Sequence, residues 1–135
     1  MNLIEWSDKY LVNIKMLDEQ HQKLVEIINL LYSSMREGKG NFALGGILND
    51  LISYATNHFS AEEKLLDDFN YPEFEFHKEE HRYFIQKITD FKEAFDLGKQ
   101  GLSVEVLDFL KNWLSKHIIK SDKKFAPYLH EKGIR

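Results

Sequence analysis

Five of the chain's six histidines fall on the apolar stripes of helical segments, and no other feature constrains the fold as strongly. Leu17, His21, Leu24, Ile28, Leu31 and Met35 recur at alternating steps of four and three, the spacing of one buried helix face. A second stripe runs Leu48, Leu51, Ala55, His58, Glu62, Leu65. A third runs Phe74, His77, His81, Phe84, Ile88, Phe91, Phe95. The fourth is Val106, Leu110, Trp113 or Leu114, then His117. Glu62 shares the inward face with His58, whereas Glu63, Asp67 and Asp68 fall off it and read as solvated surface charges. His130 stands apart and is given no role.

Breakers separate these stripes. Gly38-Lys39-Gly40-Asn41, Asn70-Tyr71-Pro72 and Gly98-Lys99-Gln100-Gly101 are the three interruptions. Glycine after a periodic run stops a helix, and Pro72 suits the first turn of a new one. Ser103 suits an N-cap. The expected domain is one unit over residues 1–135. It has an ordered arm over about 1–17, helices over about 18–37, 41–66, 72–97 and 103–121, and a short C-terminal segment. Trp6 and Tyr10 give the arm something to pack with. Four amphipathic helices with short connections predict an all-α fold, an antiparallel up-down-up-down bundle.

Composition narrows the function. With 43% apolar residues, 135 residues suffice for a full core. No cysteine is present, which excludes disulfides, thiolate metal sites and a cysteine nucleophile. A net charge of −4 argues against a nucleic-acid partner. No apolar run is long enough to cross a bilayer, and the first residues lack the pattern of a signal peptide. A cytoplasmic location is expected.

The polar groups on the stripes converge. His21 is early in the first helix, His58 and Glu62 late in the second, His77 and His81 early in the third, His117 late in the fourth. In an antiparallel bundle those places share one end. A buried carboxylate without a partner is costly, and no lysine or arginine on the stripes pairs with Glu62. Metal cations satisfy carboxylate and imidazoles together. The pairs His58/Glu62 and His77/His81 are each four apart, one turn above each other on a helix face. Such an imidazole-rich set suits zinc, copper, iron or nickel rather than calcium or magnesium. Asp122 makes a seventh candidate ligand, and seven exceed what one ion takes from protein, so two ions with shared carboxylates are expected. On an ideal α-helix, residues five apart differ by roughly 140° in direction. A π-bulge or loosened turn between His117 and Asp122 is therefore expected.

These residues resemble the hemerythrins, and among them the single-domain bacterial members. The resemblance rests on Asp18-Glu19-Gln20-His21, His58-Phe59-Ser60-Ala61-Glu62-Glu63, His77-Lys78-Glu79-Glu80-His81 and His117-Ile118-Ile119-Lys120-Ser121-Asp122. It covers essentially the whole chain. It implies two iron ions and no haem: one iron held by His77, His81 and His117, the other by His21 and His58. Glu62 and Asp122 would bridge them beside a solvent-derived oxo or hydroxo bridge. Dioxygen would bind at an open position on the two-histidine iron. The oxygen pocket is expected to include Trp113 and Leu114, with Ile118 or Ile119 contributing.

The resemblance thus implies reversible dioxygen binding by an oxygen carrier, store or delivery protein, not an enzyme. Five histidines to two carboxylates, in His-x-x-x-Glu spacing, differ from the carboxylate-rich Glu-x-x-His sites of oxidising di-iron proteins. Alternative functions are an oxygen or redox sensor signalling through a partner, and a protein that acts on peroxide or nitric oxide or handles iron. The expected partners are dioxygen and an unidentified protein acceptor, with no membrane insertion.

Overall fold

A computed structural model describes residues 2–135, and they form a four-helix bundle. Helix α1 spans Lys15–Arg36, α2 Gly40–Asp68, α3 Phe74–Asp96 and α4 Leu102–Trp113. The fourth strut does not stop at the metal end. It continues as a π-helix over Leu114–Asp122 and then as α5 over Lys123–Glu131. Only short turns join the four struts, so neighbours run antiparallel, and α4 closes the bundle against α1. Among the described residues no helix is long and apolar enough to cross a membrane.

Several local expectations shift. Helix α1 begins at Lys15, earlier than the stripe indicated, because Ile14 is extended and its carbonyl accepts the Asp18 amide. Ser103 is not an N-cap. Gly101, at φ +77, is the residue outside α4, and Ser103 is buried within the first turn without a capping bond. Pro72 lies in the turn before α3 rather than inside its first turn. Asn70 adopts a left-handed φ of 55 and ends α2, with the Tyr71 amide donating to the Leu66 carbonyl. The C-terminal segment is helical through Pro127. That proline is exposed, and the bond it forgoes is to the Lys123 carbonyl in the first turn of α5.

Two apolar clusters fill the molecule. The larger occupies the bundle interior and includes Leu24, Ile28, Leu48, Leu51, Phe84, Ile88, Val106 and Leu110. The smaller brings Val12 and Ile14 of the arm, Leu17 and Leu66 together with Tyr71, Phe125 and Leu129. The inward histidines lie in the helix turns between them. The arm is pinned by paired bonds between the Asn29 side chain and the Ile4 backbone, both 2.9 Å, and by the Val12 amide on Asp18 Oδ1 at 2.8 Å. From α5, Tyr128 Oη donates to the Phe69 and Asn70 carbonyls at 2.6 and 3.0 Å. His130 Nε2 lies 3.1 Å from the Asn13 carbonyl and so joins α5 to the arm.

Candidate metal centre

His21, His58, Glu62, His77, His81, His117 and Asp122 are all buried and meet in one place. Their donor atoms form two overlapping groups, each within 4.8 Å: Glu62 with His77, His81 and His117, and His21 with His58, Glu62 and Asp122. The two carboxylates divide their oxygens between these groups. Glu62 Oε1 contacts His77 Nε2 and lies 3.0 Å from His81 Nε2, while Oε2 lies 3.1 Å from His58 Nε2 and 3.7 Å from His21 Nε2. Asp122 Oδ1 is 3.0 Å from both His77 Nε2 and His117 Nε2, and Oδ2 is 2.9 Å from His21 Nε2.

The π-helix makes this possible. A π-turn bonds residue i to i+5, so His117 and Asp122 lie one above the other instead of diverging. Leu114, His117, Ile118 and Asp122 are the buried residues of that segment, and their burial holds a geometry that an isolated chain avoids.

Outward hydrogen bonds orient the rings. His81 Nδ1 donates to Glu63 at 2.8 Å, and His58 Nδ1 donates to Gln20 at 2.5 Å. With Nδ1–H committed outward, each Nε2 presents a lone pair to the centre. Glu80 lies 3.5 Å from His117 Nδ1 and accepts from Ser121 Oγ at 3.1 Å. Glu63 is therefore not a solvated surface charge. Its side chain is three-quarters buried because the residue beside a stripe still faces the neighbouring helix. Gln20, Glu63 and Glu80 carried no periodic signal and were not expected at the site. Tyr54 and Phe59 were also missed, although Tyr54, one turn before His58, was findable from spacing. Tyr54 stacks on His58 at 5.2 Å between centroids, and Phe59 on His81 at 3.9 Å. Replacing Glu63 with alanine is expected to loosen His81 and lower metal affinity by about 10–100-fold, read by competition with a chelator. Unchanged affinity would mean that packing against Phe59 alone orients the ring.

The metal-free electrostatics show the strain of this cluster. Burial pulls the imidazoles down, yet Asp122 and Glu62 outweigh it and raise His21 and His77 to about 9. His117 is raised well above its usual value by the same contest. For His58 burial prevails and its value is lowered. Burial pushes Glu62 and Asp122 up, but the surrounding imidazoles hold both below the ordinary carboxylate range. Even so, Glu62 Oε2, both Asp122 oxygens and His117 Nε2 make no aligned hydrogen bond. Two buried carboxylates and five imidazoles that converge yet leave these atoms without aligned bonds are what a pair of cations satisfies, so the donor set fits a two-metal centre.

The family profile described as Hemerythrin HHE cation binding domain matches residues 12–129. The chain belongs to the hemerythrin family. It is 32% identical over 121 residues to a bacteriohemerythrin of Pseudomonas paraeruginosa, covering 90% of this chain and 78% of that one. To a bacteriohemerythrin of Methylococcus capsulatus it is 29% identical over 130 residues, covering 96% and 98%. A solved wild-type hemerythrin superposes with a TM-score of 0.83 at 28% identity, covering 93% of this chain and 96% of that chain. A hemerythrin domain carries a non-haem di-iron centre, and this hemerythrin is an oxygen-binding protein of that class.

The expected pocket residues are divided by the fold. Trp113 lies flat on His117, with centroids 4.1 Å apart and planes 13° apart, which puts it beside the three-histidine group. Leu114 and Ile118 are buried in the main core, and Ile119 packs at its margin.

Proposed function

We propose that residues 1–135 form a single hemerythrin domain in which His77, His81 and His117 hold one iron, His21 and His58 the other, with Glu62 and Asp122 bridging them. The reading rests on the division of carboxylate oxygens. Each carboxylate turns one oxygen to each histidine group, which is the arrangement a bridging ligand needs. Two ferrous ions supply the electrons for reversible dioxygen binding. The protein supplies the rest. Five histidines keep the ligand set largely neutral, and the unequal groups leave fewer protein donors on the His21/His58 side, where dioxygen would enter. Leu114 and Ile118 contribute apolar bulk that keeps water from the site.

The role that follows is an oxygen carrier, store or delivery protein rather than an enzyme. The amide and carboxylates around the histidines are engaged in orienting them: Gln20 accepts from His58, Glu63 accepts from His81, and Glu80 accepts from Ser121. Anaerobic loading with ferrous iron, followed by cycles of air and its removal, tests the role. A visible charge-transfer band that comes and goes with oxygen, at two irons per chain, supports a carrier. Colour that forms once and persists would overturn it in favour of a redox sensor. Trimming Leu114 to alanine is expected to speed autoxidation, followed as loss of the oxygenated spectrum with time. An unaltered rate would remove Leu114 from the pocket wall.

A further inference from the structure

A cavity of about 440 Å³ opens between α3 and α4 on the outer side of His117. Its walls are aromatic: Phe76 and Tyr83 from α3, Phe109 and Trp113 from α4. Its volume lies within the ~300–1,000 Å³ range of small-molecule sites. Phe76 is 62% exposed and Tyr83 56%, an apolar surface left uncovered beside the cavity. Lys116 and Asn112 add a cation and an amide, and Glu79 and Glu80 add carboxylates, Glu79 paired with Arg82 and Glu80 turned to Ser121 and His117.

The floor of this cleft leads to the metal centre. Tyr83 and Phe109 are 6.0 Å apart, Phe109 and Trp113 6.4 Å, and Trp113 stacks on His117. Electronic coupling falls steeply with distance, and His117 itself lines the cleft with Trp113 stacked on it, so the route inward is short. Trp113 is itself more than nine-tenths buried, so its ring is held between the cleft and His117.

Resting on the di-iron reading above, we propose that this cleft binds a free reduced flavin mononucleotide, whose electrons re-reduce the ferric centre through Trp113 and His117. The aromatic wall offers ring surface for a planar three-ring system to pack on, and the exposed Lys116 suits the terminal phosphate. The electron count also matches. One dihydroflavin gives up two electrons, one to each ferric ion, and releases two protons to solvent as it becomes oxidised flavin. An oxygen carrier needs such a step whenever its iron is left ferric.

The test mixes ferric protein anaerobically with photoreduced flavin mononucleotide, and separately titrates oxidised flavin mononucleotide by its fluorescence. Quenching on binding and a reduction rate that saturates with flavin are expected. Replacing Phe76 and Tyr83 together by alanine should weaken both by about tenfold or more, while iron content and reduction by dithionite stay unchanged. Riboflavin, which lacks the phosphate, should bind less tightly than the mononucleotide, and Lys116→Ala should abolish that difference. Alanine at Phe42, exposed on α2 away from the cleft, should change nothing. Absence of quenching, or a rate linear in flavin and equal in the wild type and the double variant, would overturn the proposal. Fewer than two irons in the wild type would instead sink the di-iron reading, while the fluorescence titration still reports on the cleft.

Discussion

Alanine at Glu62 is expected to abolish binding of two irons per chain and to lower metal-free stability by about 3–5 kcal/mol near neutral pH, the usual cost of breaking a buried ion pair. Glu62 is fully buried, and its two oxygens lie among the imidazoles of the five inward histidines. Its loss removes the charge that lets His21, His77 and His117 hold protons in the core. Asp122, with Glu80 beside His117, is then left to compensate them, so the imidazoles become neutral or the end of the bundle loosens. The cost should shrink at alkaline pH, where those histidines are neutral anyway. Iron stoichiometry and urea unfolding at two pH values measure both effects. Glu62→Gln separates charge from volume: it keeps the packing and should still lose the second iron. A Glu62→Ala protein that retained two irons would show that Asp122 bridges without help.

Iron loading should release protons, and metal-free stability should depend on pH in a defined direction. His21 and His77 stand at about 9 in the folded metal-free protein against 6.5 when unfolded, and His117 is also raised. Groups with raised values contribute stability that is complete below pH 6.5 and is lost as pH climbs through about 9. The lowered Glu62 and Asp122 contribute stability present above their ordinary values of 4.5 and 3.8 and lost as pH falls through their folded ones. His58, lowered, opposes the other histidines: its share is present above 6.5 and lost as pH falls below. The metal-free protein should therefore be most stable in mildly acidic solution and weaken steadily from pH 6.5 to above 9. Metal must displace the same protons, so ferrous loading at pH 7 should release up to about three protons per chain from His21, His77 and His117, and about one more from a water that becomes a bridging hydroxide. An anaerobic pH-stat titration counts them. Release of no more than about one proton would mean that these imidazoles are already neutral in the metal-free protein, and would remove the basis for the alkaline weakening.

The helix faces and the inward turn of the polar cluster were legible in the sequence because both obey a local rule. A stripe at steps of three and four is set by one turn of helix, so His21, His58, Glu62, His77, His81 and His117 declared their inward direction residue by residue. Even the break in that rule was informative: the five-residue step to Asp122 called for a π-turn, and Leu114–Asp122 is π-helical. What surrounds the donors was not legible. Gln20, Glu63 and Glu80 sit just off the stripes, and a residue there becomes a partner only when a second helix brings a ring to it. Likewise Val12, Ile14, Phe125 and Leu129, distant in sequence, form the apolar cap beyond the centre only because α5 and the arm fold back together. Trp113 and Leu114 are adjacent in the chain, yet successive helical residues point about 100° apart. Both belong to the main core, but only Trp113 lies on His117 and lines the cleft. Periodicity along one strand of chain determined which groups face inward; packing between strands of chain decided what each of them touches.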